Sequence, residues 1–234
     1  MIVGTPRSGT YLLCDLLSQL DACGKPHEYF NPTIARAYIP GREHDLLERL
    51  LLPAPVGMTD NGIAAVKFFA WNLDEITEKA DLFEFYPKVR FILQWSEDRL
   101  AQAISLARAR QTHRWQDAER EQAQPLYDPA AIYRSLLDIA LEHERFELFF
   151  ARQGITPLRI SYERLLDSPQ EVLTAVCAHI GVKLPPASMT GLRPRTTKMR
   201  DALSDKWRRR FVHDYGAWRG LDPIKLKSKL EKAT

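Results

Sequence analysis

Met1-Ile-Val-Gly-Thr-Pro-Arg-Ser-Gly-Thr-Tyr11 decides the fold. A short apolar run enters a loop with Gly4 and Gly9 five positions apart, and the amphipathic stretch 10–20 follows at once. Strand, tight turn and helix start in that order form a phosphate-binding loop. Backbone N–H groups and the positive helix end converge there on an anion. Thr10 and Tyr11 stand where a Walker loop needs its lysine and its magnesium-binding hydroxyl. Arg7 offers the fixed charge instead, and its planar guanidinium suits bidentate capture of phosphate or sulfate oxygens. A plain strand-to-helix turn is the competing reading of the same residues.

Outward from the loop, apolar runs alternate with helix-period segments. Further strands are expected at 63–69, 89–94 and 156–161. Leu12, Leu13, Leu16, Leu17 and Leu20 line one face of the first helix. Leu100, Ala103, Ile104 and Ala107 repeat that pattern within a helix at 98–110. Longer helices are expected at 129–152, ahead of Gly154, and at 170–180, capped by Ser168-Pro169 and stopped by Gly181. The alternation predicts an α/β fold, a P-loop-type parallel sheet flanked by helices. Segments 31–62 and 111–128 leave the sheet, as pocket-building excursions do. One domain is expected over 1–220, with a basic tail over 221–234.

The bulk numbers exclude several classes. The chain has 234 residues, 45% hydrophobic and 27% charged, enough for one large α/β core. A net charge of +3, from 33 basic and 30 acidic residues, is too balanced for a nucleic-acid binder. Cys14, Cys23 and Cys177 form no CxxC pair and suggest a reducing, cytoplasmic compartment. The six histidines show no metal-ligand spacing, and no metal is expected. With the loop standing so near Met1, no secretory leader is expected. No apolar run approaches a membrane span.

The loop Thr5-Pro-Arg-Ser-Gly-Thr10 resembles the 5′-phosphosulfate loop of sulfotransferases that use 3′-phosphoadenosine 5′-phosphosulfate. Four further blocks resemble the bacterial glycolipid and trehalose sulfotransferases, with their lipopolysaccharide and nodulation-type relatives. These are Gly24-Lys-Pro-His-Glu-Tyr-Phe30, Val66-Lys-Phe-Phe-Ala-Trp-Asn72, Gln102-Ala-Ile-Ser105 and Ser204-Asp-Lys-Trp207. The resemblance implies that donor, a carbohydrate or glycolipid acceptor, and a homodimer. It places the donor phosphate on Thr5, Pro6, Arg7, Ser8, Gly9, Thr10 and Tyr11. Lys67, at a strand end, is expected to steady sulfate oxygens, with an ordinary strand-end lysine as the alternative.

The resemblance makes Glu28 the candidate base. Burial beside Tyr29 and Phe30 is expected to raise its pKa toward working pH. His27 competes for the role, since imidazole titrates near neutrality. Adjacent residues on an extended segment point opposite ways, so one of the two faces the acceptor. Relatives carry an arginine just before the aspartate that follows the third strand, and a serine further along the helix. Here Ser96 and Glu97 stand in the arginine's place, while Ser105 remains. Arg99, or Lys198 and Arg200 folding over, are the candidates to grip the 3′-phosphate instead. Two rival functions stay open: a P-loop kinase, and a non-catalytic nucleotide-binding protein that lost the arginine.

Overall fold

The computed structural model describes residues 1–38, 45–115, 119–184, 186–189, 191–193 and 201–215. Four strands form one parallel sheet: β1 (Ile2–Gly4), β2 (Lys67–Phe68), β3 (Ile92–Trp95) and β4 (Leu158–Ser161), in the order β2-β1-β3-β4. Parallel neighbours need crossovers, and helices supply them. α1 (Thr10–Ser18) leaves the first loop, and three short helices fill the excursion: α2 (Pro32–Tyr38), α3 (Leu46–Leu51) and α4 (Pro53–Gly57). α5 (Ala70–Lys79) and α6 (Leu82–Phe85) lead to β3; α7 (Arg99–Thr112) and α8 (Pro129–Gln153) lead to β4. α9 (Tyr162–Asp167), α10 (Pro169–Ile180) and α11 (Ala202–Tyr215) complete the described α-helices.

Strand alternation sorts the core. Ile2, Ile92 and Ile160 point to the face covered by α1 and α10, among Leu13, Leu16, Val172 and Val176. Val3 and Leu93 point to the opposite face, onto Leu73 and Ile76 of α5 and Phe146 and Phe150 of α8. A third cluster joins α7, α8 and α11 through Ala103, Ile104, Ile139, Trp207 and Phe211. The aromatic stripe on α11 is thus core at Trp207 and Phe211, while Tyr215 is exposed.

The strands after β1 begin later than their apolar runs suggest. A ladder needs a partner, and β1 offers residues only from Ile2, which pairs with Lys67 on one side and Ile92 on the other. Ile92 in turn pairs with Leu158. Ahead of Lys67, Ala64 and Val66 make only single bridges, to Met58 and His27. Helix ends follow capping chemistry. Asp98 accepts from the Ala101 N–H at 3.1 Å, Asp128 accepts from the Ala131 N–H at 3.0 Å, and Gly154 and Gly181 end α8 and α10 at φ 64 and 77. Ser168 precedes Pro169 without a side-chain cap bond, so proline alone sets the start of α10. Arg208 donates through one guanidinium nitrogen to both Asp98 oxygens at 2.6 and 2.7 Å, tying α11 to the start of α7. The basic tail over 221–234 lies outside the described residues.

Gly9 shows how tightly the loop is seated. Its φ of 81° is left-handed, and a Cβ there would lie 2.2 Å from Cδ2 of Tyr162, the first residue of α9. Gly9→Ala therefore combines backbone strain with overpacking and is expected to destabilise the fold by about 2–4 kcal/mol. Urea unfolding checks this; an unchanged midpoint refutes the close packing of α9 on the loop.

Candidate active site

The loop shapes itself before it can hold anything. The buried Ser8 hydroxyl donates to the Thr5 carbonyl at 2.7 Å, and the Ser8 N–H donates to the same carbonyl at 3.3 Å. Gln102 on α7 donates its side-chain amide to Thr5 Oγ1 and to the Pro6 carbonyl, both at 2.7 Å. Arg7 takes a positive φ of 64° at the crown. Thr5, Pro6 and Ser8, expected on the donor, thus spend side-chain or carbonyl groups within the loop or on Gln102. The capacity for an anion rests in the backbone N–H groups at the start of α1, where helix geometry provides no carbonyl partner, and in the helix dipole. Gly9 caps that helix and Thr10 opens it, buried.

Beside the loop lies a buried ion pair. Lys67 Nζ, at the first position of β2, is 2.5 Å from Glu28 Oε1, and the lysine is only 1% exposed. The Glu28 segment reaches it by running parallel to β2, with the Lys67 N–H donating to the His27 carbonyl at 2.9 Å. The Tyr11 hydroxyl donates to Glu28 Oε1 at 2.8 Å, and Asn31 Nδ2 donates to Oε2 at 3.3 Å. The lysine ammonium lies 3.8 Å from the Tyr11 ring centroid and 4.1 Å from that of Phe69. These ring faces replace part of the lost hydration shell. Trp71, partly exposed at the start of α5, stacks on Phe69 with centroids 4.4 Å apart.

The electrostatics reverse one expectation. Burial does push the Glu28 carboxyl upward, but the Lys67 charge and the hydrogen bonds from Lys67, Tyr11 and Asn31 outweigh it. The carboxyl is held below its ordinary value of 4.5 rather than raised toward neutrality. Burial lowers the Lys67 pKa, against the pull of Glu28. His27 is depressed by burial as well. Its ring packs between Tyr29 and Tyr38, and its buried Nδ1 has no hydrogen-bond partner among the described residues. The two neighbours do diverge: Glu28 faces Lys67 and the loop, His27 faces the tyrosines.

The expected phosphate anchors separate. Arg7 turns to α7, donating from Nε to Ser105 Oγ at 2.9 Å and from its guanidinium to the Trp115 carbonyl. Arg99 does not join them. It is half-buried near Glu163 and Glu144, with a weak 3.5 Å contact to Gln102. Lys198 and Arg200 lie outside the described residues. Asn31, Tyr162 and Glu163 escaped the sequence reading, and Phe69 stood within a quoted block without a role. Gln102 stood within a block quoted for resemblance, yet its bracing of the loop had no local signal. No three His, Cys, Asp or Glu side chains gather as metal ligands among the described residues.

A parallel sheet with a phosphate-type loop after its first strand, and a buried Lys–Glu pair beside that loop, defines a sulfotransferase-like α/β protein. The chain belongs to the Stf0 sulphotransferase family, whose profile matches residues 57–214. That match takes in Lys67 and α7; the loop and Glu28 lie ahead of it. Two trehalose 2-sulfotransferases are similar over nearly the whole chain. The Mycobacterium tuberculosis protein is 25% identical over 258 residues, covering 90% of this chain and 93% of its own. The Mycolicibacterium smegmatis protein is 24% identical over 259 residues, covering 92% and 94%. The fold matches mouse sulfotransferase SULT7A1, solved with PAP, at a TM-score of 0.50 and 13% identity, over 82% of this chain and 61% of that one.

The ion pair sets the pH response. Below 4.5 the unfolded chain takes up a proton that native Glu28 refuses. Its stabilisation is therefore full above that value and is lost as pH falls through the lower folded value. Urea midpoints between pH 7 and pH 3 should show this loss, with a flatter acid limb in Glu28→Gln. At pH 7, Glu28→Gln and Lys67→Met should each cost about 3–5 kcal/mol, because each strands a buried partner. The double variant should cost less than their sum; strict additivity refutes the pairing.

Proposed function

We propose that the protein transfers the sulfuryl group of 3′-phosphoadenosine 5′-phosphosulfate to a carbohydrate hydroxyl, with Glu28 as base and Lys67 as the cation on the moving group. The carrying observation is the 2.5 Å Lys67–Glu28 pair beside the loop. The mycobacterial relatives support a trehalose-like disaccharide as acceptor. A homodimer in the cytoplasm is the setting we expect.

The reaction asks for charge control at both ends. The acceptor O–H gives its proton to Glu28 as its oxygen bonds to sulfur. The bond from sulfur to the bridging oxygen breaks, and the leaving 5′-phosphate of adenosine 3′,5′-bisphosphate takes the charge. Loop N–H groups and the α1 dipole are suited to hold that charge without reorganising. The resting Glu28 is a weak base because Lys67 neutralises it. When Lys67 turns toward the sulfuryl oxygens, Glu28 loses its main counter-charge and becomes more basic. One lysine movement thus couples donor arrival to activation of the base.

Glu28→Gln keeps shape and hydrogen bonding but takes no proton, so single-turnover transfer to trehalose should fall about 10²–10⁴-fold. Binding of adenosine 3′,5′-bisphosphate should survive. His27→Ala should be the milder change, since its ring faces the tyrosines. Near-normal turnover in Glu28→Gln beside an inactive His27→Ala moves the base role to His27. Arg7→Ala should weaken bisphosphate binding measured by calorimetry; unchanged affinity refutes its part in donor binding.

A further inference from the structure

Cys23 and Cys177, 154 residues apart in the chain, bring their sulfurs to 3.6 Å between the turn after α1 and helix α10. Both are free thiols, each 3% exposed, and neither has a part in the chemistry proposed above. A disulfide needs about 2.05 Å between its sulfurs, so closing this pair takes a movement of about 1.5 Å. The contact also prepares one thiol to react. A proton kept on Cys23 and donated to Cys177 stabilises charge there, which lowers the Cys177 pKa against its burial and raises that of Cys23. The thiolate is the nucleophilic form. Burial pushes the third thiol, Cys14, up to about 12, and it stays protonated.

A shift at this pair is passed on rather than absorbed. α10 is seated in the core through Val172, Leu173 and Val176. Cys23 lies instead in the irregular turn after α1, where Asp21 takes a φ of 49°, so Cys23 is the side that moves. The next residue has no slack, since a Cβ on Gly24 would lie 2.6 Å from the Ala65 Cβ. The Gly24 N–H donates to Thr59 Oγ1 at 3.2 Å, and the Lys25 N–H donates to the Gly57 carbonyl at 2.8 Å. The same short segment then delivers Glu28 to Lys67. We propose that Cys23 and Cys177 form a reversible disulfide under a hydroperoxide, and that closing it draws Glu28 away from Lys67. Its effect on transfer rests on the base role proposed above. The Cys177 thiolate attacks one peroxide oxygen, the O–O bond breaks, and a sulfenic acid forms as the first water leaves. Cys23 then bonds to that sulfur, and the sulfenic oxygen departs as the second water. Two thiols are oxidised and one hydrogen peroxide is reduced. Contact between the sulfurs favours this closure over further oxidation of the sulfenic acid. Burial admits so small an oxidant and excludes oxidised glutathione.

The test treats the full reduced chain with hydrogen peroxide and then removes the oxidant. Free thiols titrated in urea should fall from three to one, and digestion without reductant should release one peptide pair linked through Cys23 and Cys177. Oxidised glutathione should leave the count at three. Single-turnover transfer should fall about tenfold or more, the scale of a base displaced by part of an ångström, and dithiothreitol should restore it. Cys23→Ala, which cannot close the bond, should keep its rate after peroxide. A count that stays at three, or a link that includes Cys14, overturns the pair. A bond that forms without slowing transfer, or an equal loss in Cys23→Ala, overturns the control of Glu28 and leaves the base reading intact. A reduced chain that transfers nothing overturns that reading, while the thiol count still decides the bond.

Discussion

Burial of the Lys67 ammonium constrains more of this structure than any other single feature. A charge 1% exposed at the first residue of β2 must be paired and shielded or it unfolds the sheet edge. Glu28 pairs it, and holding Glu28 there fixes the segment between α1 and α2 in a bridge beside β2. Tyr11 serves twice, its hydroxyl on Glu28 and its ring over the ammonium. The first turn of α1 is thereby bound to the Glu28 segment. Loop, lysine and carboxylate are therefore one unit, and a shift in any of them is felt by the other two. A buried pair of this kind is poor value as stabilisation alone, since apolar residues of similar volume often do as well. Its place beside the phosphate-type loop is better explained by chemistry.

The loop is braced by the same logic. The Thr5 and Ser8 hydroxyls and the Thr5 and Pro6 carbonyls are occupied within the loop or by Gln102. Gly9 lies under the Tyr162 ring. What remains outward is a set of backbone dipoles held in fixed directions. Fixed dipoles stabilise a developing charge without the cost of turning to meet it. Arg7, the only guanidinium in the loop, points at Ser105 on α7.

What was legible in the sequence was local. The Gly4–Gly9 spacing and the leucine face after it specify a strand, loop and helix, and β1 and α1 stand there. Periodicity located α7, α8 and α10 to within a few residues, because caps and prolines mark their ends. Strand starts were misjudged because an apolar run records burial, whereas a ladder requires a partner, and β1 supplies one only from Ile2. The depressed Glu28 pKa was illegible for a related reason. The aromatic neighbours that suggested a raised value are adjacent in sequence, while the lysine that reverses it lies 39 residues away. The stacking of Trp71 on Phe69 had no sequence signal either, since it depends on the turn into α5.

Where the resemblance led one to expect an arginine before Asp98, the structure has Ser96 and Glu97 held by Glu163. The buried Ser96 hydroxyl needs a partner there, and α9 brings the Glu163 carboxylate to it and to the Glu97 N–H. Substitution and internal partner thus form one consistent arrangement. It also constrains Asp98, whose carboxylate both caps α7 and receives Arg208 from α11. The turn has become a structural joint between β3, α7, α9 and α11.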